Sequence, residues 1–211
     1  MSRNSSSASC CNELNGNVYV STFNITHQLK VLNGTQVVAT IPVSSAGQVG
    51  VNPVTGYVYL TDSNNGTQPG SLTVLSGTDV IGEIPVGTNP QAIATDPLRG
   101  YVYVANYSDG TVTVITGTSV LTTATVSAAP YAISVESTTG FAFVTDEIST
   151  TVYVLQGPEL VGTVTSEDGT HSIASNPSTG ITYIANEYSN SVSMLTRVWS
   201  NHVYLPLVVR N

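Results

Sequence analysis

The chain has 211 residues, 41% apolar and only 9% charged, with 13 acidic side chains against 5 basic ones and a net charge of −8. So few cations cannot build a phosphate-binding surface, which argues against nucleic acid, and the acidic balance argues against anionic lipid. No apolar run reaches the ~18 residues of a membrane helix, so membrane insertion is not expected.

The opening segment, Met1 to Cys10, has one cation and no apolar stretch, so it is not a signal peptide. The hydroxyl-rich composition that follows suits an exported protein, and an export signal upstream in a longer reading frame is expected. Cys10 and Cys11 are adjacent. In a strand they point to opposite faces, so a bridge between them is strained. They are expected as two small buried apolar residues, with an intermolecular bridge as the alternative. A Cys-Cys pair alone is not a metal motif.

Gly16, Gly56, Gly100, Gly140 and Gly180 each precede an alternating apolar strand, at spacings of 40, 44, 40 and 40 residues. These strands are Asn17-Val-Tyr-Val20, Tyr57-Val-Tyr-Leu60, Tyr101-Val-Tyr-Val104, Phe141-Ala-Phe-Val144 and Ile181-Thr-Tyr-Ile184. A fixed period near forty, built from strands alone, is the signature of a β-propeller. The expected fold is all-β. It is one domain over residues 1–211, with repeats at about 7–43, 47–87, 91–127, 131–166 and 171–209. Each repeat is a four-stranded antiparallel blade, and the whole is a five-bladed propeller or a five-blade part of a larger one.

The third repeat shows the parsing. Gln91 to Thr95 is a short first strand, and Asp96-Pro-Leu-Arg-Gly100 is a turn in which Asp bonds backbone, Pro fixes φ and Gly permits φ > 0. Tyr101–Asn106 and Thr111–Ile115 are the second and third strands, rich in β-branched and aromatic residues. Thr116-Gly-Thr118 turns the chain into a fourth strand over 119–126. The second repeat carries extra residues around Thr67-Gln-Pro-Gly70, expected as a surface loop. The ladder Tyr19, Tyr59, Tyr103, Phe143 and Tyr183 is expected in the core between blades, because periodic aromatics in strands are core first. Val203 to Val209 fits either a fourth strand of the fifth blade, at an edge that tolerates Pro206, or a sorting tail.

Tyr103-Val-Ala-Asn106, Thr111-Val-Thr-Val-Ile115 and Ile84-Pro-Val-Gly87 resemble the YVTN β-propeller repeat family of surface-layer and other exported proteins. The resemblance runs over about residues 8–195 and is weakest at Phe141-Ala-Phe-Val144. It implies a propeller scaffold that is usually extracytoplasmic, and it implies no single activity.

Ligands of a propeller usually sit at one mouth of the channel. Gly47, Gln91, Tyr131 and His171 fall at equivalent positions just before the expected first strands. Three are polar and chemically different, and a departure from a repeat is where a site would arise. Gln91, Tyr131 and His171 are therefore the candidate ligand-binding residues. His27 and His202 fall elsewhere in the repeat, so a histidine metal cluster is not expected. Asp62, Asp146, Asp96 and Glu136 stand where other repeats have Asn, and Glu147 follows Asp146 at the end of its second strand, which points to turn capping. The expectation is a non-enzymatic exported scaffold that binds protein or glycan at the cell surface, without cofactor, metal or catalytic residues. The alternative is a lactonase-like or streptogramin-lyase-like enzyme with its site at the mouth, which would need convergent carboxylates or histidines.

Overall fold

The computed structural model describes residues 5–23, 26–126, 128–198 and 203–210, with side chains over 10–22, 26–126 and 128–196. Five separate four-stranded antiparallel sheets follow one another along the chain. The first holds β1 (Ser5–Asn12), β2 (Asn17–Phe23), β3 (Gln28–Asn33) and β4 (Gln36–Pro42). The second holds β5 (Val49–Val51), β6 (Tyr57–Asp62), β7 (Pro69–Ser76) and β8 (Asp79–Thr88). The third holds β9 (Pro90–Thr95), β10 (Tyr101–Asn106), β11 (Thr111–Thr116) and β12 (Ser119–Thr125). The fourth holds β13 (Pro130–Val135), β14 (Phe141–Asp146), β15 (Thr151–Gln156) and β16 (Glu159–Thr165). The fifth holds β17 (Thr170–Asn176), β18 (Ile181–Asn186), β19 (Ser191–Val198) and β20 (Val203–Arg210). In every sheet the strands pair in sequence order, so each sheet is one meander.

The blades pack side by side, with neighbouring first strands touching: β1 with β5, β5 with β9, β9 with β13 and β13 with β17. The chain is therefore an all-β propeller with its first strands innermost. Second strands such as β10 are buried on both faces, while fourth strands such as β12 are mostly exposed. This explains the sequence pattern, because a strand covered on two sides must be apolar at successive positions. The extra residues of the second repeat form a 3-10 turn at Asn64–Gly66 that leads into β7. β20 pairs with β19 along its length, with Pro206 opposite Leu195, so it is the edge strand of the fifth blade. Trp199 to His202 lie outside the described residues.

Each blade offers the next one a trailing face and receives the previous one on a leading face. At the second junction Tyr59, Leu72 and Val74 meet Val102, Val104 and Ile115, all fully buried. Burying such side chains stabilises by about 1.5–3 kcal/mol each relative to exposure. A tyrosine hook fixes the junction. Tyr19 Oη donates to the Gly77 carbonyl at 3.0 Å and Tyr59 Oη to Gly117 at 2.8 Å, in each case the strand-three to strand-four turn of the next blade. Tyr103 Oη accepts the Gly157 N–H at 3.0 Å from the same turn. The recurrent Gly-Thr turn is thus a docking point for the tyrosine of the preceding blade. Phe143 keeps the ring and lacks the hydroxyl.

Two expectations need correction. Tyr183 is only half-buried, unlike the other four rings of the ladder, because among the described residues no strand packs extensively on the trailing face of the fifth blade. Cys11 is exposed and Cys10 half-buried; neither is disulfide-bonded. Cys10 lies opposite Tyr19, on the face covered by the second blade, whereas Cys11 lies opposite Val18, on the uncovered face. Burial pushes the Cys10 thiol up from its ordinary value.

Candidate functional site

At the rim where first strands end, one acceptor per blade organises the turn. Asn12 Oδ1 accepts the Leu14 N–H at 3.0 Å, and Asn52 Oδ1 accepts those of Val54 and Thr55 at 2.9 and 3.3 Å. Asp96 Oδ1 accepts Leu98 and Arg99 at 2.8 and 3.2 Å, and Asn176 Oδ1 accepts Ser178 and Thr179 at 2.9 and 3.3 Å. Asparagine can also donate, and Asn12 and Asn52 each reach forward to the next blade's glycine carbonyl, at Gly56 and Gly100. Asp96 cannot donate. There Arg99 bridges, with one guanidinium nitrogen 3.3 Å from Asp96 and 3.0 Å from the Thr139 carbonyl. Burial pushes the Glu136 carboxyl upward, but hydrogen bonds from the Thr138 and Thr139 hydroxyls and amides outweigh it and hold it below the ordinary value. Asp96 and Glu136 are therefore turn caps that are already saturated, not a poised acid and base.

The opposite rim is the channel mouth. Asp62 and Asp146 each accept an amide two residues on, from Asn64 and Ile148, both at 2.8 Å. Asn186 is held by Ser166, Ser191 and Ser193 at 2.9–3.0 Å. Asn106 donates to Thr111 and Thr113, but its buried Oδ1 has no partner. Ser166 stands twenty residues before Asn186; Val86 stands twenty before Asn106 and offers no hydroxyl.

Gln91, Tyr131 and His171 lie inside the first strands, each as its second residue, rather than before them. Each also falls at a register break. The pairing skips Gln91 between Pro90 and Ala92, Tyr131 and Ala132 between Pro130 and Ile133, and His171 between Thr170 and Ser172. A β-bulge adds a residue that the partner strand does not oppose and so re-aims its side chain. The third, fourth and fifth blades thus each free a side chain at this position from ladder and core. At Gly47 the freedom is lost, because a Cβ would lie 2.2 Å from the Thr61 carbonyl oxygen.

These residues are not all brought together. The Tyr131 and His171 rings pack against each other in a tilted stack, with centroids 4.5 Å apart and planes inclined at 40°. Tyr107 meets Tyr131 edge-on at 6.3 Å. The three rings form a row across the third, fourth and fifth blades. Tyr107 Oη donates to Glu147 Oε2 at 2.6 Å, and this carboxylate, ahead of burial, raises the phenol above its ordinary value. Gln91 instead bonds Asn89 at 3.2 Å and lines a separate cavity of about 250 Å³ beside Gly47. His171 lines the larger cavity, about 590 Å³, with Asn186, Glu187, Asn190 and Val192. Sequence reading missed Tyr107, Glu147 as its partner, and Glu187. Their signal was available, since Tyr107, Glu147 and Glu187 are equivalent positions forty residues apart. Among the described residues no three His, Cys, Asp or Glu side chains converge as metal ligands.

No protein-family model matches the chain, and no curated protein matches it. Solved structures do. A functionally unknown protein from Desulfotomaculum acetoxidans superposes with a TM-score of 0.72 at 16% identity, over 99% of this chain and 76% of that one. A catalytically inactive histidine-to-alanine variant of virginiamycin B lyase from Staphylococcus aureus, with quinupristin, gives 0.75 at 10% identity, over 97% and 70%. A candidate 6-phosphogluconolactonase from Bacteroides uniformis gives 0.76 at 16% identity, over 94% and 69%. At such identities the likeness is one of fold, and it establishes the propeller without transferring an activity.

Proposed function

We propose that this chain is an exported, non-enzymatic propeller scaffold of the cell surface, and that it takes an uncharged glycan against the Tyr131–His171 stack. The observation that carries the reading is that stack, placed by two successive bulges at the mouth and extended by Tyr107. An aromatic row offers an apolar platform with polar edges, which suits the C–H face of a sugar ring. Asn186, Asn190 and Glu187 in the adjoining cavity supply donors and acceptors for hydroxyls. Asp146, Glu147 and Glu187 make the mouth acidic, which disfavours sulfated or phosphorylated ligands. The resemblance to the YVTN repeats and the hydroxyl-rich composition support the exported location.

The test is a screen of the 211-residue chain against immobilised neutral oligosaccharides derived from cellulose and chitin. A binder is expected, and Tyr131→Ala and His171→Ala should each weaken it at least about tenfold without shifting the melting temperature. No binder, or variants that bind as well as the parent, would overturn the glycan reading. Labelling of intact cells by an antibody to the chain checks the location.

A second reading, a lyase or lactonase, is favoured by one observation: His171 and Glu187 line the same cavity. That pairing could move a proton. Turnover of a lactone that needs a divalent ion and is lost in His171→Ala would install this reading in place of the first.

A further inference from the structure

The four blade junctions supply a template against which the two ends of the chain can be compared. On the leading face, Val58, Leu60 and Leu75 of the second blade are 0–1% exposed, as are Ala142, Val144 and Leu155 of the fourth. Their equivalents in the first blade, Val18, Val20 and Leu32, are all only half-buried. On the trailing face, Tyr103, Ala105, Val112 and Val114 are fully buried. Their equivalents in the fifth blade are half-buried Tyr183 and Met194, exposed Ala185, and Val192 at 41% exposure. Among the described residues, no contact as extensive as those joining the other inner strands links β17 to β1.

The hooks are unmatched at the same two ends. Tyr183 stands where Tyr19 and Tyr59 reach the next blade's glycine turn, and Gly34 is the corresponding turn of the first blade, the equivalent of Gly77 and Gly117. Asn176 stands where Asn12 and Asn52 reach forward, and Gly16 is the corresponding receiver, with open space around it. Buried Asn52 is 0% exposed, whereas Asn176 is exposed. The apolar faces, the tyrosine hook and the asparagine hook are thus each half of a junction at either end.

We infer that these two ends receive two further four-stranded blades of the same repeat, which complete the ring. The number follows from the superpositions. Nearly all of this chain fits 69–76% of the three solved propellers described above, at TM-scores of 0.72–0.76, which leaves the share that two blades would occupy beside five; a looser match, at a TM-score of 0.62, is covered to 81%. The chemistry follows from the template. The incoming pair must present to Tyr183 a Gly turn like that at Gly117, and to Gly34 a tyrosine like Tyr59. A second copy of this chain carries both faces but has five blades, three more than a gap of two blades would hold. The incoming blade would also wall the cavity beside His171, since Val192 belongs to both the cavity and the open face.

The experiment compares the 211-residue chain with a version extended at its C-terminus by a duplicate of residues 87–166, the third and fourth blades. The extended chain should be monomeric and melt at least about 10 °C higher. It should bind several-fold less of a dye for exposed apolar surface than the parent does. Val192→Glu in the extended chain should abolish both gains. An extended chain that melts no higher and binds as much dye overturns the inference. A second comparison needs no extension. In the parent chain Val192→Glu should leave the melting temperature unchanged, whereas Val112→Glu, at the equivalent buried position, should unfold it. If Val192→Glu unfolds the parent too, that face is already covered in solution and the inference fails. Light scattering on the parent names the cover in that event: a concentration-dependent oligomer means a second copy, and a monomer means closure on itself.

Discussion

At one rim five blades place Asn12, Asn52, Asp96, Glu136 and Asn176 at the same point, and all five accept hydrogen bonds from the turn that follows. At the other rim the bulged position carries Gln91, Tyr131 and His171, an amide, a phenol and an imidazole. The first rim varies the residue and keeps the role. Asn, Asp and Glu interchange because each presents an oxygen to backbone N–H groups, and the forward link to the next blade is remade by Arg99 where the residue can no longer donate. The second rim keeps the backbone device and varies the chemistry. A position that must satisfy buried backbone has few solutions, whereas one freed from ladder and core has many.

The largest test of this contrast is Asn52→Ala. It removes three hydrogen bonds and leaves the Gly100 carbonyl unpaired in a buried site, so a loss of about 3 kcal/mol is expected in a denaturant titration. Gly140→Ala should follow at about 2 kcal/mol, since φ is +73° and the new Cβ would lie 2.7 Å from Asp96 Oδ2. Glu136→Gln should cost about 1 kcal/mol at neutral pH and also change the pH dependence. The Glu136 carboxyl is held below its ordinary value of 4.5, so its contribution is complete above that pH and is lost as pH falls below it. The glutamine variant should lack that acid-side loss when melts at pH 7 and pH 3 are compared. The smallest effects belong to the mouth, where Gln91→Ala and His171→Ala should shift stability by less than about 0.5 kcal/mol. A large loss there would make the mouth a second structural rim and dissolve the contrast.

The alkaline side tests the hooks in the same way. Burial raises the Tyr59 and Tyr103 phenols above their ordinary value of 10. Their stabilisation is therefore complete below that pH and lost as pH climbs past it. Tyr59→Phe keeps the ring and drops the bond to Gly117, so it should lose about 1 kcal/mol at pH 7 and flatten the alkaline decline.

The blades were legible in the sequence because Gly16, Gly56, Gly100, Gly140 and Gly180 mark a period that few folds share. Turn capping was legible for the same reason, since one position interchanges Asn, Asp and Glu. The hooks were not. Tyr59 and Gly117 are 58 residues apart, and a tyrosine hydroxyl and a glycine carbonyl have no distinctive pattern. The bulges were hidden as well, because an unopposed residue is defined only against its partner strand. This is why Tyr131 and His171 were expected ahead of strands that in fact contain them, while Gln91 was read both as the start of its strand and as just before it. The half-burial of Tyr183 follows from the open trailing face of the fifth blade, which an identical motif cannot disclose.

Each hook runs one way, from a tyrosine to the glycine turn of the following blade, and among the described residues the extensive contacts between blades join successive ones. The unit therefore carries a rule for succession and no record of how many successors there are. A gene that duplicates one internal stretch of forty codons would insert a working blade with every contact already in place. Only the curvature of the finished circle would register the change. Descent by copying is in that sense easy for such a chain, and the limit on its size is geometric rather than chemical.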